Sequence, residues 1–137
     1  MTTYMDALII SLITFGLLVV IDLVWLGVVG KPIYVKYLGH MMRSRPRWVV
    51  ALAFYVLYAL GLIFFAVYPA LFAGTIAIAA LHGAFLGLLA YGTYELTNFA
   101  VLKHWPWQLV IIDWLWGVVL TSGVASIVFV IAVRLLA

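Results

Sequence analysis

Four apolar stretches, each long enough to cross a bilayer, constrain this chain more than any other feature. They run from about Ala7 to Val29, Trp48 to Tyr68, Ile76 to Leu102 and Gln108 to Leu136. A helix needs about 20 residues to cross about 30 Å of hydrocarbon. Backbone polar groups there must pair within the protein, so such stretches form helices. The composition agrees. The 137 residues are 69% hydrophobic and 8% charged, with a mean hydropathy of +1.32; soluble domains carry about 25% charged residues. The expected fold is all-α: one domain, 1-137, forming an integral membrane four-helix bundle with a short cytoplasmic interfacial helix after the first span.

The chain has no cysteine, which excludes disulfides, thiolate metal sites and thiol nucleophiles. The N-terminus MTTYMDALII lacks a basic leader region, so the first apolar run is expected to be retained as a span.

The only long connection, Gly30 to Arg47, carries Lys31, Lys36, Arg43, Arg45 and Arg47. Wound as a helix, it puts Ile33, Tyr34, Tyr37, Leu38, Met41 and Met42 on one side and Lys36, His40 and Arg43 on the other. That pattern suits a helix in the interface, starting at Pro32 and stopped by Pro46. A basic loop with scattered apolar residues is the alternative. Trp48, Trp105 and Trp107 are candidate interfacial anchors. The second connection is expected near Pro69 to Gly74 and the third at Lys103 to Trp107. Of the seven Lys and Arg, only Arg134 lies outside the first and third connections. The positive-inside rule puts those connections in the cytoplasm and both termini outside. The net charge of +3 reports this orientation and implies no nucleic-acid partner.

Three of the four acids fall inside the spans. Asp22, Glu95 and Asp113 each come out roughly 9–12 Å inside the cytoplasmic edge at 1.5 Å per residue. Tyr55 and Tyr58 reach similar depths. Intramembrane acids are costly, about 2.5–3.5 kcal/mol each on the insertion scale, and point to function by default. Their convergence on one centre is an inference from depth. On the third helix Gly83, Gly87, Tyr91, Tyr94, Glu95 and Asn98 fall within about a 120° arc. Gly83 and Gly87 make a G-x-x-x-G that lets another helix approach closely; Gly92, off this stripe, is expected to tolerate bulk better. Asp22 shares a face with Trp25, and Asp113 with Trp116. The candidate catalytic or coupling acids are therefore Glu95, Asp113 and Asp22. The candidate ligand-binding shell is Tyr91, Tyr94, Asn98, Trp25, Trp116, Tyr55 and Tyr58. The words Ile21-Asp22-Leu23-Val24-Trp25 and Ile112-Asp113-Trp114-Leu115-Trp116 are alike on spans of opposite direction. Two short words in apolar helices do not by themselves establish a repeat.

Three ionised carboxylates together would repel. Protonation, a bound cation, a snorkelling Lys103 or loop arginine, or a water-filled cavity would each resolve this. The bland alternative is polar glue, with hydroxyls and amides capping the acids and holding the bundle together. His82, about 20 Å from Glu95 along the axis, reads as an interhelical hydrogen bonder. His40 and His104 read as interfacial residues. Without a fixed His-x-x-x-His or Glu-x-x-His spacing no metal site is expected, and no cofactor is implied.

The D-x-x-W-L-G of Asp22 to Gly27, the Y-x-x-Y-E-L-T-N of Tyr91 to Asn98, the L-K-x-W-P of Leu102 to Pro106 and the D-x-x-W-G of Asp113 to Gly117 resemble a bacterial family of small predicted inner-membrane proteins, a domain of unknown function. The resemblance covers nearly the whole chain. It implies four spans in the bacterial inner membrane and brings no established activity. Members usually carry an acid in the third-span motif, often Asp where this chain has Glu95.

Three functions remain open. The first is a membrane-embedded site, near the cytoplasmic side, that binds or processes an amphipathic small molecule of the lipid or isoprenoid class. Were it an enzyme, Glu95 or Asp113 would serve as acid or base, with Tyr91 or Tyr94 as proton donor. The second is a structural or accessory subunit that docks a membrane partner or a second copy through its glycine stripe and aromatic faces. The third is a proton- or cation-coupled transporter, disfavoured because the outer half holds no acid. Beyond the lipid bilayer itself, the candidate partners are an amphipathic small-molecule ligand and either a second copy of the chain or another membrane protein.

Overall fold

The computed structural model describes residues 3–136. They form helices α1 (Tyr4–Val29), α2 (Lys31–Leu38), α3 (Trp48–Ala73), α4 (Ile76–Val101) and α5 (Trp107–Leu135). All but α2 are apolar and long enough to cross a membrane. Successive spans reverse direction, giving an up-down-up-down bundle. Its two connections with Lys or Arg lie at one end, called here the basic end. The fourth acid, Asp6, is explained locally. Its backbone N–H donates to the Thr3 hydroxyl (3.2 Å) and its carboxylate accepts from the Thr3 N–H (2.7 Å), closing a capping box on α1.

The core runs along the bundle axis through Ile10, Leu18, Leu62, Val67, Val124 and Val128. Leu12, Leu57, Phe64, Leu81, Phe85 and Leu115 point outward and are well exposed, as lipid-facing residues should be. Lipid is as apolar as leucine, so close packing by small residues must hold the spans together. The glycine stripe does this. A Cβ on Gly83 would come within 2.8 Å of the Thr121 carbonyl oxygen, and one on Gly87 would collide with the backbone carbonyl of Gly117. α4 and α5 therefore touch backbone to backbone. Gly92 departs from expectation. A Cβ there would lie 2.8 Å from the Trp114 indole nitrogen, which donates to the Leu88 carbonyl at 2.8 Å. A helical wheel describes where a Cα faces; a tryptophan on the neighbouring helix reaches across a much wider arc.

Two helices contain a π turn, at Trp25–Val29 in α1 and Ile63–Val67 in α3. The second explains a boundary error. The span was expected to stop at Tyr68, before Pro69, yet α3 runs on to Ala73. In the wide turn the Tyr68 N–H bonds back to Ile63, and the proline follows where the ladder is already reset. Gly74, in the left-handed conformation at φ 68°, makes the turn. Thr75 caps α4 by accepting from the Ala77 N–H.

The helix expected after the first span is present but short. It ends at Leu38, and Met41 and Met42 lie beyond it, exposed. Its side bearing Ile33, Tyr34, Tyr37 and Leu38 packs on Trp105, Leu109 and Val110. α2 thus covers the basic end of α5. Trp105, expected as an interfacial anchor, is buried, whereas Trp48 and Trp107 are exposed.

Candidate functional site

Asp22 continues the buried i, i+4 row of α1 formed by Ile10, Thr14 and Leu18. The packing that buries the row also buries the carboxylate. It accepts from the Tyr55 hydroxyl at 2.6 Å and from the Trp116 indole at 3.0 Å. Hydrogen bonds to a charged group are worth about 1.5–3 kcal/mol each, enough to hold an acid at this depth.

Asp113 lies on the buried face of α5 with Leu109, Val110 and Gly117. It accepts from the Tyr34 hydroxyl of α2, and that oxygen accepts from the Trp25 indole at 3.2 Å. Burial, then the bond to Asp113, pushes the Tyr34 phenol up. Tyr34 therefore keeps its proton and stays a donor. The Trp25 and Trp116 rings stack with centroids 4.3 Å apart and planes 7° from parallel. The two similar words of the first and last spans thus meet at the bundle centre. Each aspartate takes the other span's tryptophan, Asp22 directly and Asp113 through Tyr34.

Glu95 is 1% exposed. Its Oε2 accepts from the Trp105 indole at 2.9 Å, while Oε1 is buried without a partner. Trp105 meets Tyr94 edge-on, centroids 6.0 Å apart. The backbone turns at His104, whose φ of 62° is uncommon outside glycine and folds Trp105 back under α4.

A cleft of about 330 Å³ opens beside these acids, lined by Phe54, Tyr58, Ala90, Tyr91, Tyr94 and Asp113. The packing of α3 creates it. Its first half leans on α1 and its second half on α4, so α3 and α4 part toward the basic end. Small-molecule pockets start at about 300 Å³ and are mostly apolar with a few placed polar groups. The Tyr91 ring rests on Gly117, where a Cβ would collide with it. Tyr91 also faces the Tyr58 edge at 6.2 Å, and Tyr58 shares a 2.8 Å hydrogen bond with Thr121.

The structure brings most of the expected residues together. Asp22, Tyr55, Trp116, Trp25 and Asp113 form one bonded and stacked chain. Glu95 is held by Trp105, which meets the Tyr94 ring, and Tyr58, Tyr91 and Tyr94 wall the cleft. Asn98 is peripheral, half-buried beside the Tyr94 hydroxyl. Tyr34, Trp105, Phe54 and Ala90 were missed. For Tyr34 a signal existed, since it sits on the apolar side of α2 next to the end of the Trp25 helix. His82 bonds across helices to the Phe65 carbonyl, at 2.9 Å, within the π turn of α3. Among the described residues no three His, Asp or Glu side chains gather in a way that could hold a metal ion.

All of these residues fall within residues 7–130, which match the model of a family described as "Predicted membrane protein (DUF2177)". The chain belongs to this family. The family region takes in both D-x-x-W words, Tyr34, Glu95 and Trp105, and so contains the whole site. No curated protein and no solved structure matches the chain significantly.

Proposed function

We propose that this four-span protein binds or processes an amphipathic small molecule of the lipid or isoprenoid class in the cleft between α3 and α4. The observation that carries the reading is the make-up of the cleft. Its walls are the rings of Phe54, Tyr58, Tyr91 and Tyr94, of which Phe54 and Tyr94 are half-exposed, and the buried Asp113 carboxyl stands among them. An apolar chain would lie along Phe54, Tyr58 and Tyr94 while its polar head meets Asp113. Were a reaction to follow, Asp113 and Glu95 would hold and return the proton. The subunit reading loses its main support, because Gly83 and Gly87 are used inside the bundle, against α5.

Ala90→Trp fills the cleft and leaves both carboxyls in the chain. Lipid-resolved mass spectrometry of the purified protein should find an amphiphile enriched over bulk membrane lipid in the wild type and lost in Ala90→Trp. Equal lipid profiles for the two proteins would overturn the reading.

We also infer a bacterial inner-membrane location with the basic end in the cytoplasm and both termini outside, as the Lys and Arg bias directs. Single cysteines at Thr2 and Ser44, probed with an impermeant thiol reagent on intact cells, should label at Thr2 only. Labelling at Ser44 alone would reverse the orientation.

A further inference from the structure

The three buried acids have no basic hydrogen-bond partner among the described residues. Their hydrogen-bond partners are Tyr34, Tyr55, Trp105 and Trp116, all neutral donors, and no Lys, Arg or His is among them. Lys103 and His104, the basic residues nearest in the chain to this end of α4, are exposed on the connection. Asp22 is well supplied, with a donor on each carboxylate oxygen. The other two acids are not. Asp113 accepts from the Tyr34 hydroxyl, and Glu95 keeps one fully buried oxygen with no partner among the described residues. An ionised carboxylate with no cation beside it is expensive in such a setting.

The surroundings favour one kind of compensating group. Four aromatic rings, of Phe54, Tyr58, Tyr91 and Tyr94, line the cleft that leads to Asp113. Aromatic faces attract cations, and a desolvated ammonium among rings gains most. An anionic head would meet carboxylates, and a neutral hydroxyl would leave the charge in place. Phe54 and Tyr94, at the cleft, are half-exposed on membrane-length helices, so an occupant with an apolar tail can enter from the lipid.

From four rings lining a cleft that ends on a buried carboxyl held only by neutral donors, we infer that the cleft selects a cationic amphiphile, an ammonium head on an apolar chain, with Asp113 as its counter-ion and the four rings as its collar. The inference rests on the amphiphile reading given above and narrows it to one head-group class. Glu95 does not line the cleft; it adds a second buried carboxyl at this end of the bundle. The head stays unmodified, so no bond is made or broken.

The test uses the full chain in lipid nanodiscs and a matched set of probes: dodecylammonium, dodecyltrimethylammonium, dodecanol and dodecyl sulfate, each at a few mole per cent of lipid. Binding is read from tryptophan fluorescence, with Trp105 beside the cleft as reporter, and from the shift in thermal unfolding. Both ammonium probes should bind at least about tenfold more tightly than dodecanol, a difference of about 1.4 kcal/mol. That preference should vanish in Asp113→Asn and shrink in Glu95→Gln. Tyr94→Leu, at a half-exposed position, removes one ring of the collar and none of the hydrogen-bond donors to the three acids, and should weaken the ammonium probes alone. Dodecanol binding as well as the ammonium probes in the wild type, with loss of both in Ala90→Trp, would overturn the cationic inference and leave the amphiphile reading standing. Failure of every probe, together with unchanged lipid profiles in Ala90→Trp, would overturn both.

Discussion

Gly87→Leu is expected to destabilise the bundle by about 1–3 kcal/mol or more, measured by steric trapping or by unfolding in mixed micelles. The reason is what a side chain there would meet. A Cβ at Gly87 collides with the carbonyl of Gly117, and backbone cannot swing aside as a side chain can. α4 and α5 would have to separate along the contact that is the bundle's most extensive. Gly92→Ala should cost less, about 0.5–1.5 kcal/mol, because it displaces the Trp114 indole and its bond to Leu88. Gly123 on α5 has nothing within 4 Å of its Cβ position, so Gly123→Ala should be close to neutral. Equal losses at Gly87 and Gly123 would mean that helix propensity governs these positions, with no part played by the contact between α4 and α5.

The difference between Gly87 and Gly92 shows where sequence reasoning reaches and where it stops. Whatever depends on one helix alone was legible. Apolar length placed the spans, spacing put Gly83, Gly87, Tyr91 and Glu95 on one stripe, and rise per residue put three acids at one depth. Whatever depends on two elements meeting was less so. Tyr34 and Asp113 are 79 residues apart in the chain, and their bond exists because α2 folds back onto α5. Trp105 reaches Glu95 only through the left-handed turn at His104, a conformation no periodicity announces. The far end of α3, expected near Tyr68, lies at Ala73 for a different reason. A proline ends a regular helix, but the π turn before it had already shifted the ladder. The paired words of α1 and α5 lie between these cases. Their likeness was visible, but only the ring stack and crossed hydrogen bonds give it meaning.

Trp116→Leu should be the most damaging single change in this network. The indole supplies one of two donors to Asp22 and one face of the central stack. Losing a hydrogen bond to a buried carboxylate costs about 1.5–3 kcal/mol. Losing the ring pair costs about 0.5–1.5 kcal/mol beyond its buried area. Leucine restores part of the volume and neither interaction, so a loss of about 2–4 kcal/mol is expected. Tyr55→Phe, which removes the other donor to Asp22 and keeps its shape, should cost only the hydrogen-bond part, about 1.5–3 kcal/mol. Trp25→Leu loses the same stack together with the bond to Tyr34. Because the stack can be lost only once, Trp25→Leu and Trp116→Leu combined should cost less than their sum, by about 0.5–1.5 kcal/mol. A strictly additive pair would show that the two rings touch without stabilising one another. The two aspartates would then belong to separate sites that happen to share a depth in the membrane.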